Sequence, residues 1–587
     1  LLVLAAVQLM LVLLSPSTPT STTNASAGGA FNHFAAGTSG STSASVPGGS
    51  ATDNGAGATT GAVSSTGGAA GVTGATGTGS GATGGTVGGG GSNSSGPVDR
   101  SRCDTKGLEI GVTYYMPPCV PPWTGGDNGG TTMPGVSATK INYLFYRPQG
   151  NAEVNAILGT QGLAATDQQF CAAVKAFHAE INKRWEAYGR TYVSLNGPGN
   201  HNGAAIGNPC SFPYFQGQCS LTPPDPPCER AEADLIASMH PAYVMAPVAD
   251  PSFYNQLGKD HVIVAGGENE PDTYHTSVAP YYYDVFMSGT RAMAQAAEYY
   301  CKRLYNRPVK WAGTDVEHPT GPISAPPRRK IAIVYPATNG DPTYAIPANQ
   351  FIHAVTGGMC GSPSDNVKAF PYQSDITTAE QQSTTQIAAL KASGVTTVVF
   401  YGDPIAPVFL TNTAESQGYH PEWLVTGTGL VDYDVLGQLY NGDQWQHAFG
   451  ISDLTNSIPF AQSDAAKAAH DVGAPQPDPT ENLAWSYYSL MATSFQDAGP
   501  MPTANAIQGG LFSAPGQGGD PYHALLQFGR PNDFTGLQDA REVYWCDHAI
   551  SPINGHQGMY VPIDGGVRRS LGQWPNTEPA AFPHGFC

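Results

Sequence analysis

From about Leu108 onward the chain alternates between two hydrophobic patterns. Short runs such as "RTYVSLN", "AYVMAPVA", "HVIVAGG", "RKIAIVYP", "NVKAFPY", "TTVVFYG", "EWLVTG" and "WQHAFGIS" are nearly continuous in β-branched, aromatic and small apolar residues. That is the pattern of strands buried on both faces. Between them lie longer stretches with helical periodicity, among them "DQQFCAAVKAFHAEINKRWEAYG", "CERAEADLIASM", "DPSFYNQLG", "TAEQQSTTQIAALKASG" and "PVFLTNTAESQG". "LEIGVTYY" predicts the first strand, with a long Gly/Pro loop after it. Regular alternation of strand and helix predicts parallel βαβ units. A Pro/Gly segment after "TRAMAQAAEYYCKRLYN" divides them into two series, and so into two α/β cores. Helices in "ENLAWSYYSLMATSFQDAG" and "TANAIQGGLF" and strands in "REVYWC" and "GMYVPIDGG" close the chain.

The first hundred residues show neither pattern. Residues 1–14, "LLVLAAVQLMLVLL", form an apolar run of signal-peptide length, short of the roughly 18 residues expected of a membrane span. They are read as a signal peptide, with a signal anchor as the alternative because neither Met nor a basic segment precedes the run. Residues 15–98 are Gly, Ser, Thr and Ala with almost no charge, too apolar-poor to offset the entropy of ordering, and are read as a disordered tether. The expected location is secreted or tethered to the cell surface, with no transmembrane domain other than that anchor.

Charge narrows the partners. The 587 residues carry a formal charge of −19, which argues against nucleic acid and anionic membranes. Ten cysteines in an exported chain point to disulfides rather than metal, and Cys210, Cys219 and Cys228 lack the close spacing of zinc ligands. No G-x-S-x-G, H-E-x-x-H or P-loop pattern is present. "DVEHP" (Asp315, Glu317, His318) and "WCDHA" (Asp547, His548) combine carboxylate and His without further specificity. No catalytic residue, metal or cofactor is expected, and the chain is read as a non-enzyme.

Two strand-to-helix corners stand out. Asp250-Pro251 has the form of an N-cap with Pro at the first helical position. Gly402-Asp403-Pro404 has the same form, but Pro407 forfeits a backbone hydrogen bond, so the helix is expected to start later and leave Gly402 to Ala406 as a loop.

The segments "VMAPVADPSFYNQLG", "KIAIVYPATNGDPTYA", "SDITTAEQQSTTQIAALKASGVTTVVFYGD" and "DAREVYWCDHAI…GMYVPIDGGVRRSLGQWP" together resemble the type I periplasmic binding proteins, the branched-chain amino-acid receptor group of ABC-transporter solute-binding proteins. The resemblance covers about Leu108 to Pro575. It implies two Rossmann-like lobes of mostly parallel sheet flanked by helices and joined by a three-crossover hinge. Lobe 1 would take 99–289, lobe 2 290–456, and 457–587 would return to lobe 1, make the third crossover and form the C-terminal segment. Crossings fall near Ser288, near Ser452 to Ser457 and between Phe534 and Ser551.

The same resemblance implies a small-molecule ligand between the lobes, with an ABC permease or a receptor as partner. Candidate ligand-binding positions are Asp250, Ser252, Gly267, Glu268, Asn269 and Tyr283 in lobe 1, and Tyr344, Asp403 and Thr428 in lobe 2. For each, a structural role competes: cap for Asp250 and Asp403, turn for Tyr344, local backbone bonding for Thr428, core packing for Tyr283. The ligand is expected to be amino-acid-like or cationic and polar; Gly266-Gly267-Glu268-Asn269 stands where many members carry small hydroxyl residues, which favours a cationic or donor-rich group. Under this lobe assignment Cys301 pairs with Cys360; Cys171 with Cys228 is a second expected pair, and other connectivity is open. The alternatives are a secreted hydrolase, or a ligand-free surface scaffold in which the Cys/Pro insertion Gly197 to Pro227 serves adhesion.

Overall fold

The computed structural model describes residues 103–163, 165–197, 210, 212–267, 269–316, 329–337, 343–529, 532–580 and 587. The apolar start, the Gly/Ser/Thr-rich stretch, Glu268, Glu317 and His318 lie outside the described residues.

The first sheet is built from β1 (Lys140–Arg147), β2 (Thr191–Ser194), β3 (Phe215–Gln216), β4 (Tyr243–Ala246), β5 (Ile263–Gly266) and β6 (Tyr282–Tyr283). Its order is β2-β1-β4-β5-β6 with β3 also on β1, and every pairing is parallel. Helices α1 (Ala152–Gly159), α2 (Asp167–Arg184), α3 (Pro226–Ser238) and α4 (Pro251–Lys259) belong to this half. Strand residues alternate between two cores: Tyr143, Phe145, Tyr243, Met245, Ile263 and Ala265 face α2, while Leu144, Tyr146, Val244, Ala246 and Val264 face α3 and α4. The side-chain period of two in an extended strand produces this division.

Three expectations need correction here. The first strand is "KINYLFYR", an apolar run that pairs on both sides; Leu108 and Glu109 make only isolated bridges, to Pro118 and Cys103. Helix α1 occupies part of the expected loop. Cys171 is bonded to Cys210 and Cys228 to Cys219, not to each other. The reason is geometric: α2 and α3 cover opposite faces of the sheet, whereas a disulfide needs Cα atoms about 5.5 Å apart.

After β6 the chain enters α5 (Gly289–Tyr299), whose Ala292, Met293 and Ala296 pack in a different core. The second sheet follows as β7 (Ile331–Pro336), β8 (Val367–Tyr372), β9 (Thr397–Phe400), β10 (Glu422–Thr426) and β11 (Ala448–Ser452), with α6 (Ala345–His353), α7 (Ala379–Ala392) and α8 (Ala406–Ser416) between strands. Its parallel part has the order β8-β7-β9-β10-β11. Again the strands divide: Ile331, Ile333 and Val399 face α5 and α6, while Ala332, Val334, Val398 and Phe400 face α7 and α8.

The chain then returns to the first core through α9 (Asp464–Asp471), α10 (Glu481–Ala498) and α11 (Ala504–Ser513). It rejoins the second sheet as β12 (Asp539–Ile550), antiparallel to β11, followed by β13 (Gln557–Pro562) and β14 (Arg568–Ser570), both antiparallel to β12. Two connecting segments pair where they run between the lobes: Asp284 N donates to Phe534 O at 3.1 Å and Gly536 N to Asp284 O at 2.9 Å. Cys301–Cys360 and Cys546–Cys587 lie in the second lobe, and Cys103–Cys119 closes the loop around Leu108. Among the described residues no helix is long and apolar enough to cross a membrane.

Candidate functional site

In both sheets the strand order reverses direction once, between β1 and β4 in the first and between β7 and β9 in the second. Open α/β sheets leave a crevice at the carboxyl ends of strands beside such a reversal. The corners that end β4 and β9 are the two Asp-Pro sequences. Asp250 caps α4, accepting a bond from Ser252 N at 2.9 Å, with Pro251 at the first helical position. Helix α8 begins at Ala406 with Pro407 in its first turn, so Gly402 to Ile405 is loop, as the position of that proline requires.

Asp403 organises this loop. Its Oδ1 accepts bonds from Ile405 N and Ala406 N, both at 2.9 Å. Its Oδ2 accepts a bond from the Tyr372 hydroxyl, whose oxygen in turn accepts from Asp403 N at 3.2 Å. Tyr372 ends β8, so the side chain ties two strand ends of the second lobe together.

Asp250 and Asp403 line one cavity of about 340 Å³ with walls from both lobes. Val248 to Pro251 contribute from the first lobe; Tyr344, Tyr372 to Ile376, Gln382, Gln386, Asp403 to Ala406 and Phe409 contribute from the second. Leu221, Thr222 and Pro224 of the Cys/Pro insertion form part of the same wall, and Ile376 N donates to Thr222 Oγ1 across the lobes at 3.0 Å. Helix α1 adds Val154 and Leu158. Sequence reasoning missed these two elements; the one available signal was the cysteine pair flanking Leu221 to Pro224, which pins that loop.

The other candidates lie elsewhere. Tyr283 is wholly buried in the first core, packed edge-on to Phe528 and Phe534. Ser252 donates its hydroxyl to Pro226 O at 3.2 Å. Thr428 is buried with its hydroxyl 2.9 Å from that of Thr426. Gly267 has φ +135°, and an added Cβ would lie within 3 Å of Glu270, Asp284 and Tyr282 oxygens. Asn269 is a contact between lobes: its Oδ1 accepts from Gly429 N at 2.9 Å, and its carbonyl accepts from the Tyr401 hydroxyl at 3.1 Å. Thus Asp250, Tyr344 and Asp403 meet in the cavity, while Ser252, Gly267, Asn269, Tyr283 and Thr428 do not line it.

Further acids lie buried in the first lobe near Asp250. The Tyr146 hydroxyl donates to Glu232 Oε2 at 2.7 Å, and Gln218 N donates to Glu232 Oε1 at 2.6 Å. Burial first, then the neighbouring Glu232 and Asp250 charges, push Glu229 up to about 9. Ligand atoms of Cys219, Glu229 and Glu232 lie within 4.8 Å of one another, but Cys219 is spent in its disulfide, leaving two carboxylates and no metal-binding set. Of the carboxylate-His pairs, Asp315 instead bonds His420 Nδ1 at 2.8 Å.

No protein-family model matches the sequence, and no curated protein matches it. Solved structures to which the chain is similar include the leucine-, isoleucine-, valine-, threonine- and alanine-binding protein of Brucella ovis in a closed conformation, with TM-score 0.48 and 11% identity over 76% of this chain and 99% of that one. A branched-chain amino-acid ABC transporter protein of Thermus thermophilus with bound valine gives TM-score 0.48 and 10% identity, covering 74% of this chain and 97% of that one. A solute-binding protein of Rhodopseudomonas palustris in complex with 3,4-dihydroxybenzoic acid gives 0.47 and 9%, covering 74% and 98%.

Proposed function

We propose that this chain is an exported, surface-tethered binding protein that captures a small molecule between its two lobes and presents it to an ABC-type permease or a receptor. The observation that carries this reading is the shared cavity, where the Asp250 corner of one lobe faces the Asp403 corner of the other. A site split between two bodies couples binding to closure, because a ligand that touches both walls favours the arrangement in which both are present. The apolar run at the start and the Gly-rich stretch after it support export and a tether. Binding and release need no covalent step, so no cofactor is called for.

Thermal unfolding of the purified protein across a panel of small metabolites tests the reading. A ligand of the folded state raises the midpoint in proportion to the logarithm of its concentration. The expected ligand does so, and loses the effect in Phe409→Ala, which removes an aromatic side chain from the second-lobe wall. Stabilisation that ignores this substitution, or conversion of the bound compound to product, counts against it.

A further inference from the structure

We infer that the loop between Cys219 and Cys228 and the α1 segment, both of the first lobe, form a two-point clasp that holds the lobes together beside the cavity before any ligand enters. The inference goes beyond ligand capture and rests on that reading only in taking the lobes as bodies that part. Three observations carry it.

The first is the build of the loop. Its disulfide joins cysteines 9 residues apart. Within it Asp225 N donates to Ser220 O at 3.1 Å and Thr222 N to Ser220 Oγ at 3.2 Å. Pro223, Pro224, Pro226 and Pro227 fix their own φ angles. Just before the bridge, Gln218 N is held by Glu232 of α3. Little conformational freedom is left to lose when the tip docks, so the loop acts as a preformed finger.

The second is where the tip lands. Ile376 opens a single helical turn, Ile376–Thr378, and the first amides of a helix lack acceptors within it. That turn is fixed to its own lobe: Asp375 Oδ1 accepts from Thr377 N at 3.0 Å, and Gln373 N donates to Gln382 Oε1 at 2.8 Å. Ile376 N then donates across the cleft to Thr222 Oγ1. Parting the lobes takes this acceptor away from a half-buried donor.

The third is the second point of contact. After α1 the chain turns back, with Leu163 N donating to Leu158 O at 3.0 Å, and both leucines reach the second lobe. Leu163 is buried with Val435 and Leu436, and Leu158 packs on the same cluster as Leu430 and Tyr433. Opening returns this apolar surface to water. Leu158 and the loop's Leu221 also line the cavity, so the clasp and the cavity wall share residues.

The test is amide hydrogen exchange, resolved to single residues, on the full chain with no small molecule added. Gly429 N, bonded to Asn269 Oδ1 across the lobes, reports parting, and Val264 N, bonded to Tyr281 O within the first lobe, reports unfolding. Thr222→Val removes the acceptor at constant shape and speeds exchange at both Ile376 and Gly429 about fivefold. Thr222→Ser, which keeps a hydroxyl, retains the parent rates. Leu163→Ala speeds both amides about tenfold or more. Val264 is unchanged throughout. Acceleration confined to Ile376 would make the bond a local contact and overturn the clasp. A Gly429 rate that ignores both substitutions, or that rises only in step with Val264, overturns it as well. Because no ligand is present, such a failure leaves the cleft standing as the binding site, and a metabolite panel without a binder leaves the clasp standing.

Discussion

The side-chain oxygen of Asn269, in the first lobe, accepts a hydrogen bond from the Gly429 amide of the second at 2.9 Å. Gly429 itself packs on Gly402, where an added Cβ would lie 2.0 Å from the Gly402 carbonyl. One contact thus links the first lobe to the corner that carries Asp403. Asn269 sits at φ +67°, a left-handed conformation that Asn tolerates and Gly adopts freely.

Asn269→Gly keeps that backbone without strain and deletes the contact. A single net hydrogen bond is worth about 1 kcal/mol, so the balance between closed and open lobes shifts by roughly fivefold. Small-angle scattering of the variant should show a larger radius of gyration than the parent. An unchanged radius would show that Asn269 does not hold the lobes together.

Asp403 has a measurable structural role apart from any ligand. Asp403→Ala removes the acceptor for Ile405 N and Ala406 N and should cost about 1–2 kcal/mol, while Asp403→Asn should cost a fraction of that. Urea unfolding of the three proteins reads the difference directly. Equal losses for Ala and Asn would mean that the bond to Tyr372, rather than the cap, is what stabilises the corner.

Glu229 sets a pH dependence. Burial raises it from an ordinary value of 4.5 to about 9, so between those values the folded chain holds a proton that the unfolded chain has released. Its contribution to stability is fully present below the lower value and is lost as the pH rises toward the higher one. Glu229→Gln keeps an acceptor toward Tyr146 and abolishes the titration. The variant should melt above the parent at a pH of about 8.5, with the gap closing by about pH 5. A gap of constant size would place the effect in packing instead.

Cys301 and Cys360, 59 residues apart, both belong to the second lobe. Replacing both with Ser should lower stability by about 2–4 kcal/mol through the freed unfolded chain. Ligand affinity should not change, because the bond joins no residue of one lobe to the other. Loss of affinity at a temperature where the variant remains folded would show that this disulfide shapes the cavity.

How much of this was legible depended on the range of the interactions involved. The strands "AYVMAPVA" and "TTVVFYG" and the helices after them are written in local periodicity, and the Asp-Pro corners in local capping chemistry, so each was readable without its partners. Pro407 placed the start of its helix for the same reason. "KINYLFYR" escaped notice because Lys140, Asn142 and Arg147 interrupt its apolar run beside a Gly/Pro loop, while "LEIGVTYY" looked like a strand yet makes only isolated bridges. Tyr283 looked like a cleft residue because strand ends face clefts; the packing of Phe528 and Phe534 against it came from a segment far along the chain.

The sequence by itself determined the acidic charge, the two α/β series and the two Asp-Pro corners that turn strands into helices, because these follow from composition and from interactions a few residues apart. Tertiary structure alone decided that Asp250 and Asp403 face one cavity, that a disulfide-pinned loop and a short helix help to wall it, and that Cys171 pairs with Cys210 rather than Cys228. Those outcomes depend on which face of a sheet each helix covers and on how two separate cores meet, and no local pattern encodes either.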